Sequence, residues 1–161
     1  DIVVSPLGSK STVTGIEVLG TPVDEAFSPQ SVTLLLADEI DMDRGDVISS
    51  TESSPLMTNE ITATVCVLNE QPITAGQRVL ARFGPKTIRA IVESVTDRLD
   101  LESLTHLPFN GALEVNDLGT IKLRLAGDVA VDNYADLRTT GAFILVDEQD
   151  GSTLVGGMTR C

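Results

Sequence analysis

Tryptophan is absent from this chain, and four Phe and one Tyr are its only aromatic residues, so little is available for platforms that stack bases or sugars. Lysine occurs only at positions 10, 86 and 122, and 11 basic residues face 24 acidic ones for a net charge of −13. Nucleic-acid binding draws on clustered Lys and Arg that displace counterions from phosphates, so no nucleic-acid partner is expected. The densest basic stretch holds Arg78, Arg82, Lys86 and Arg89, spaced too widely to form a patch unless folding gathers them. No apolar run approaches the ~18 residues of a membrane helix, and no basic-then-apolar leader opens the chain. The expectation is a cytoplasmic protein with no membrane partner. Cys66 and Cys161 form no Cys-x-x-Cys pair, and the single His106 completes no zinc set with them. Cys66 reads as a small strand residue and Cys161 as part of a frayed tail.

What is present is a succession of short Val, Ile, Leu and Thr runs separated by turn signals, the pattern of an all-β sandwich or barrel. Strands are expected at Ser11–Leu19, at Ser31–Ala37 (apolar enough for burial on both faces) and at Val47–Ser49. The polar stretch that ends at Pro55 reads as a linker over 53–58, dividing a first domain, 1–52, from a second, 59–161. Further strands are expected at Glu60–Leu68, Gln77–Phe83, Thr87–Val95, Gly119–Ala126, Arg138–Val146 and Thr153–Gly157. In the first of these, Ile61, Ala63, Val65 and Val67 share one face, the period of two that turns an apolar face to a core. Asp97–Leu104 and Leu113–Leu118 are the only candidates for a helical turn. No internal repeat stands out.

Gly8-Ser9-Lys10-Ser11-Thr12 has the end of a phosphate-binding loop but lacks both glycines that such a loop requires, so it reads as a polar hairpin turn. No Asn-Lys-x-Asp guanine reader accompanies it. Arg44-Gly45-Asp46 reads as a plain turn. The acidic run Asp38–Asp43 misplaces the glycine of a calcium loop by one residue. His106 reads as a half-buried loop residue with no Ser/His/Asp set around it. No catalytic, cofactor-binding or metal residue is assigned from sequence.

The order Arg138, Gly141-Ala142-Phe143, Asp147, Thr153 and Gly157 resembles the closing hairpin of the third domain of the elongation factor Tu and elongation factor 1-alpha family. Leu154 and Val155 depart from that pattern, and Asp128 stands where the family has Pro before a loop, here Asp128–Asp132. Asp24–Leu34 and Arg138–Leu145 are similar to the variant carried by the large, GTPase subunit of bacterial ATP sulfurylase (sulfate adenylyltransferase). The resemblance implies two translation-factor-like β-barrels, the first incomplete because its opening strands belong upstream of Asp1, the second a six-stranded Greek-key-type barrel. It also implies a parent whose missing N-terminal domain holds GTP and Mg, and whose partner is a catalytic small subunit making adenosine 5′-phosphosulfate for sulfate assimilation. In that reading the barrels are a non-catalytic fragment that docks the small subunit and relays GTPase state. Barrels that hold aminoacyl-tRNA, or a stand-alone adaptor, are the alternatives. Arg138, Gly141, Phe143, Asp147 and Gly157 are family-signature residues expected to be structural.

Overall fold

The computed structural model describes residues 1–161 and divides into two compact units, Asp1–Pro55 and Leu56–Cys161. The first unit holds six short strands: β1 (Ile2–Ser5), β2 (Ser9–Ser11), β3 (Val13–Val18), β4 (Thr21–Val23), β5 (Thr33–Leu36) and β6 (Val47–Ser50). They pair into two three-stranded antiparallel sheets, β2-β1-β6 and β4-β3-β5. Gly8, at φ +75°, lets the chain reverse between β1 and β2, so Ser9–Ser11 belongs to a hairpin rather than a phosphate loop. The single strand expected over Ser11–Leu19 is split at Thr12, and its two parts enter different sheets. Nor is β5 buried on both faces. Its residues alternate, with Leu35 46% exposed above its cross-strand partner Gly15.

The second unit contains β7 (Leu56–Val67), β8 (Arg78–Phe83), β9 (Lys86–Asp100), β10 (Thr105–Pro108), β11 (Leu118–Val131), β12 (Ala142–Val146) and β13 (Thr153–Arg160). A single helical turn, α1 (Arg138–Gly141), precedes β12. Six strands run in the order β9-β11-β7-β13-β12-β8, and β8 pairs back onto β9, closing the sheet into the six-stranded barrel that the sequence implied. Closure leaves those strands without a free edge; only β10, paired to the far end of β9, extends beyond the ring. Alternation fills the interior. Ile61, Ala63, Val65 and Val67 meet Val79, Ala81, Val92, Ile121, Leu123, Phe143 and Leu145 in one continuous core.

Three local expectations change here. The Asp97–Leu104 stretch is strand to Asp100 and then a tight turn, because the Asp100 carboxylate accepts hydrogen bonds from the Ser103 N–H and hydroxyl. Leu113–Leu118 is a turn that delivers Leu113 into the core, where its backbone exchanges two 2.9 Å hydrogen bonds with Ile73. The loop expected at Asp128–Asp132 is strand through Val131. β11 bulges after Arg124 and resumes pairing with β7 at Val129, because Val129 and Val131 are both buried in the core.

Candidate functional site

The hairpin of β12 and β13 gathers most of the signature residues. Phe143 lies directly opposite Gly157, and any Cβ at position 157 would overlap the Phe143 ring. The bare glycine backbone thus makes a seat for the ring, which stacks on Phe83 with centroids 5.2 Å apart. Gly141 meets backbone instead: a Cβ there would stand 2.5 Å from Tyr134 Cα. Around it Thr159, 1% exposed, donates its hydroxyl to Gly141 O at 2.9 Å with Asp132 O also in reach, while the Thr140 hydroxyl donates to the Asp132 carboxylate. Asp147 organises the turn by accepting the N–H groups of Gln149 at 2.7 Å and Asp150 at 3.2 Å. Arg138 lies on the helical turn, not in a strand, with its guanidinium 5.8 Å from the Tyr134 ring centre. Sequence reasoning missed Thr159 and Asp132, which carry no recognisable spacing.

His106 is not a half-buried loop residue. It sits exposed on β10, with Nδ1 2.5 Å from Asp97 Oδ1 on the facing β9. Burial pushes the Asp97 carboxyl up, but the hydrogen bond and charge of His106, together with Thr120 and the charge of Arg160, outweigh it and hold Asp97 below the usual carboxylate range. Cys66 lies half-buried on β7, and Cys161 is exposed at the end of the chain.

Folding does gather part of the basic stretch. Arg78 on β8 pairs with Ile91 on β9, and Ile91 pairs with Arg124 on β11, which makes a row of outward side chains across three strands. Arg89 stands two residues before Ile91 on the same face, and together with Arg78, Ile91, Arg124, Ala126 and Glu148 it lines an open groove of about 470 Å³. Arg124 is engaged by Glu60 at 2.5 Å and Glu93 at 2.9 Å. The hydrogen bond to Glu93 comes first among the effects that raise its pKa. Arg78 and Arg89 hold no carboxylate partner. No sequence spacing joins Arg124 to the other two, because only barrel pairing brings β11 beside β9.

A closed six-stranded barrel ending in this hairpin is what a known family predicts. The model of the GTP-eEF1A C-terminal domain-like family matches residues 60–160. The chain belongs to that family. Among curated relatives, the bifunctional enzyme CysN/CysC of Mycobacterium tuberculosis is 35% identical over 98% of this chain and 26% of that protein. Sulfate adenylyltransferase subunit 1 of Teredinibacter turnerae is 34% identical over 95% of this chain and 32% of that protein. The same subunit of Methylorubrum extorquens is 34% identical over 99% of this chain and 34% of that protein. The chain therefore spans about a quarter to a third of the curated relatives it matches. A crystal structure of sup35 complexed with GDP matches with a TM-score of 0.86 over 99% of this chain and 40% of that one, at 19% identity, a likeness of fold. No helix is long and apolar enough to cross a membrane.

Proposed function

We propose that this chain is the barrel-bearing part of a GTP-driven sulfate adenylyltransferase large subunit. Its role is to dock the catalytic small subunit and to relay the state of a GTPase domain to it, in the cytoplasm. GTP and Mg are held by the portion of the parent that the match does not cover, and adenosine 5′-phosphosulfate is made on the small subunit. The observation that carries this reading is similarity of 34–35% identity along nearly the whole chain to sulfate adenylyltransferase subunit 1 and CysN/CysC.

The geometry supports a scaffolding part. Gly141, Phe143, Asp147 and Gly157 spend their chemistry on backbone and ring packing inside the barrel, and we assign them, with Arg138, a structural role. The outward faces of β8 and β9 are left for contacts with other chains. A relay of this kind is a coupling free energy between two sites, measurable as a change in one activity when the other site is filled. Full-length large subunit and the same protein lacking this segment are compared for small-subunit capture and for GTP-stimulated formation of adenosine 5′-phosphosulfate. The truncated protein is expected to retain GTP binding and lose both capture and stimulation. Undiminished capture and stimulation would overturn the proposal.

A further inference from the structure

The second unit carries nine of the eleven basic residues of a strongly acidic chain, and on the outer face of β8, β9 and β11 three of them surround one groove. Arg124 is already neutralised by Glu60 and Glu93, which fix its guanidinium at the groove wall. Arg78 and Arg89 stand exposed and unpaired on either side of Ile91, which is itself 42% exposed. They are diagonal cross-strand neighbours, since Arg89 pairs with Leu80, two residues beyond Arg78. Diagonal neighbours lie about 7–8 Å apart. Alternate residues of an extended chain repeat at about 6.5–7 Å. Two carboxylates separated by one residue on an extended segment therefore match the two free guanidiniums. An apolar side chain on such a segment would rest on Ile91 and Ala126.

We propose that this groove docks an acidic, extended segment of a partner protein through Arg78 and Arg89, and, taking the function proposed above as given, that the partner is the catalytic small subunit. Openness argues for a macromolecule over a small anion, because every arginine here is exposed on the barrel wall and no buried polar group closes over the site. Charge favours it further. On a chain of net charge −13, the two unpaired arginines outnumber Glu148, the one acidic residue that lines the groove, and attract an acidic partner locally while the remaining surface repels misplaced contacts.

The test uses the full-length large subunit and purified small subunit, with binding measured by calorimetry between 50 and about 300 mM salt. Arg78→Glu/Arg89→Glu is compared with Lys10→Glu/Arg44→Glu, which makes the same charge change in the first unit. The groove variant is expected to bind at least about tenfold more weakly with a flatter salt dependence, and the control within about twofold of wild type. Circular dichroism checks that both variants fold. If wild type itself fails to bind, the functional reading falls. If wild type binds and the groove variant binds equally well, only this placement falls. Competition by millimolar sulfate or ATP would assign the groove to a small anion instead and overturn the proposal. Altered GTP turnover of the groove variant without small subunit would assign it to the parent's own GTPase domain, with the same consequence.

Discussion

At the level of single residues, glycine at 157 matters for what it lacks. Phe143 packs flat on its backbone, so Gly157→Ala is expected to push the ring off its seat and destabilise the barrel by about 1–3 kcal/mol. Adding Phe143→Leu should recover part of that loss, because the two positions share one contact; denaturant unfolding of the four proteins of the cycle measures the coupling. Asp97 supplies a different prediction. Its folded pKa lies below the unfolded value of about 3.9. Its contribution is therefore complete above that value and lost as pH falls through the folded pKa. The stability gap between wild type and Asp97→Asn should be open at neutral pH and close as pH falls below about 4. A gap that persists to pH 2 would show that the His106–Asp97 pair adds nothing electrostatic.

Among elements, one turn recurs. Asp46, Gln77 and Asp117 each use a side-chain oxygen to accept the N–H three residues earlier, at 2.9, 3.2 and 2.9 Å, and each opens a strand. The residue just before each is Gly45, Gly76 or Asn116, with φ of 104°, 84° and 69°. Two of these turns lie just past Ile73 and Leu113, whose mutual backbone bridge brings the β7–β8 and β10–β11 connections together. Along the chain the two are Ile-x-x-Gly-Gln and Leu-x-x-Asn-Asp, too slight a likeness to stand out as a repeat, and only shared geometry shows them to be the same device. Asn116→Gly is expected to be neutral or mildly stabilising, while Asn116→Val should lose about 1–2 kcal/mol by forcing a β-branched residue into the left-handed region. Thermal unfolding of both variants distinguishes this from a side-chain role for Asn116, in which both would be destabilising.

For the molecule as a whole, apolar burial is unequal. Of the buried apolar residues only Ile2, Val3 and Val4 fall in the first unit, whereas the second has a continuous core inside a closed ring of strands. Amide hydrogen exchange should therefore be slowest on β7 and β11, approaching the global unfolding limit, and faster by orders of magnitude on β3, β4 and β5. Uniform protection across both units would contradict this account.

Composition and period-two alternation were enough to establish an all-β chain, the inward face of β7 and the barrel-forming runs, because a strand facing a core must alternate whatever its partners. The ordered signature from Arg138 to Gly157 was likewise legible, since turn and seat residues are local requirements. Other features depended on residues distant in sequence. Asp97–Asp100 stays extended because β10 pairs with it, Val131 continues a strand because β7 receives it past a bulge, and Arg138 opens a helical turn packed beside Tyr134. The arginine groove is the clearest case. Arg78, Arg89 and Arg124 belong to three strands, and a charge pattern read along the chain carries no record of which strands will lie side by side.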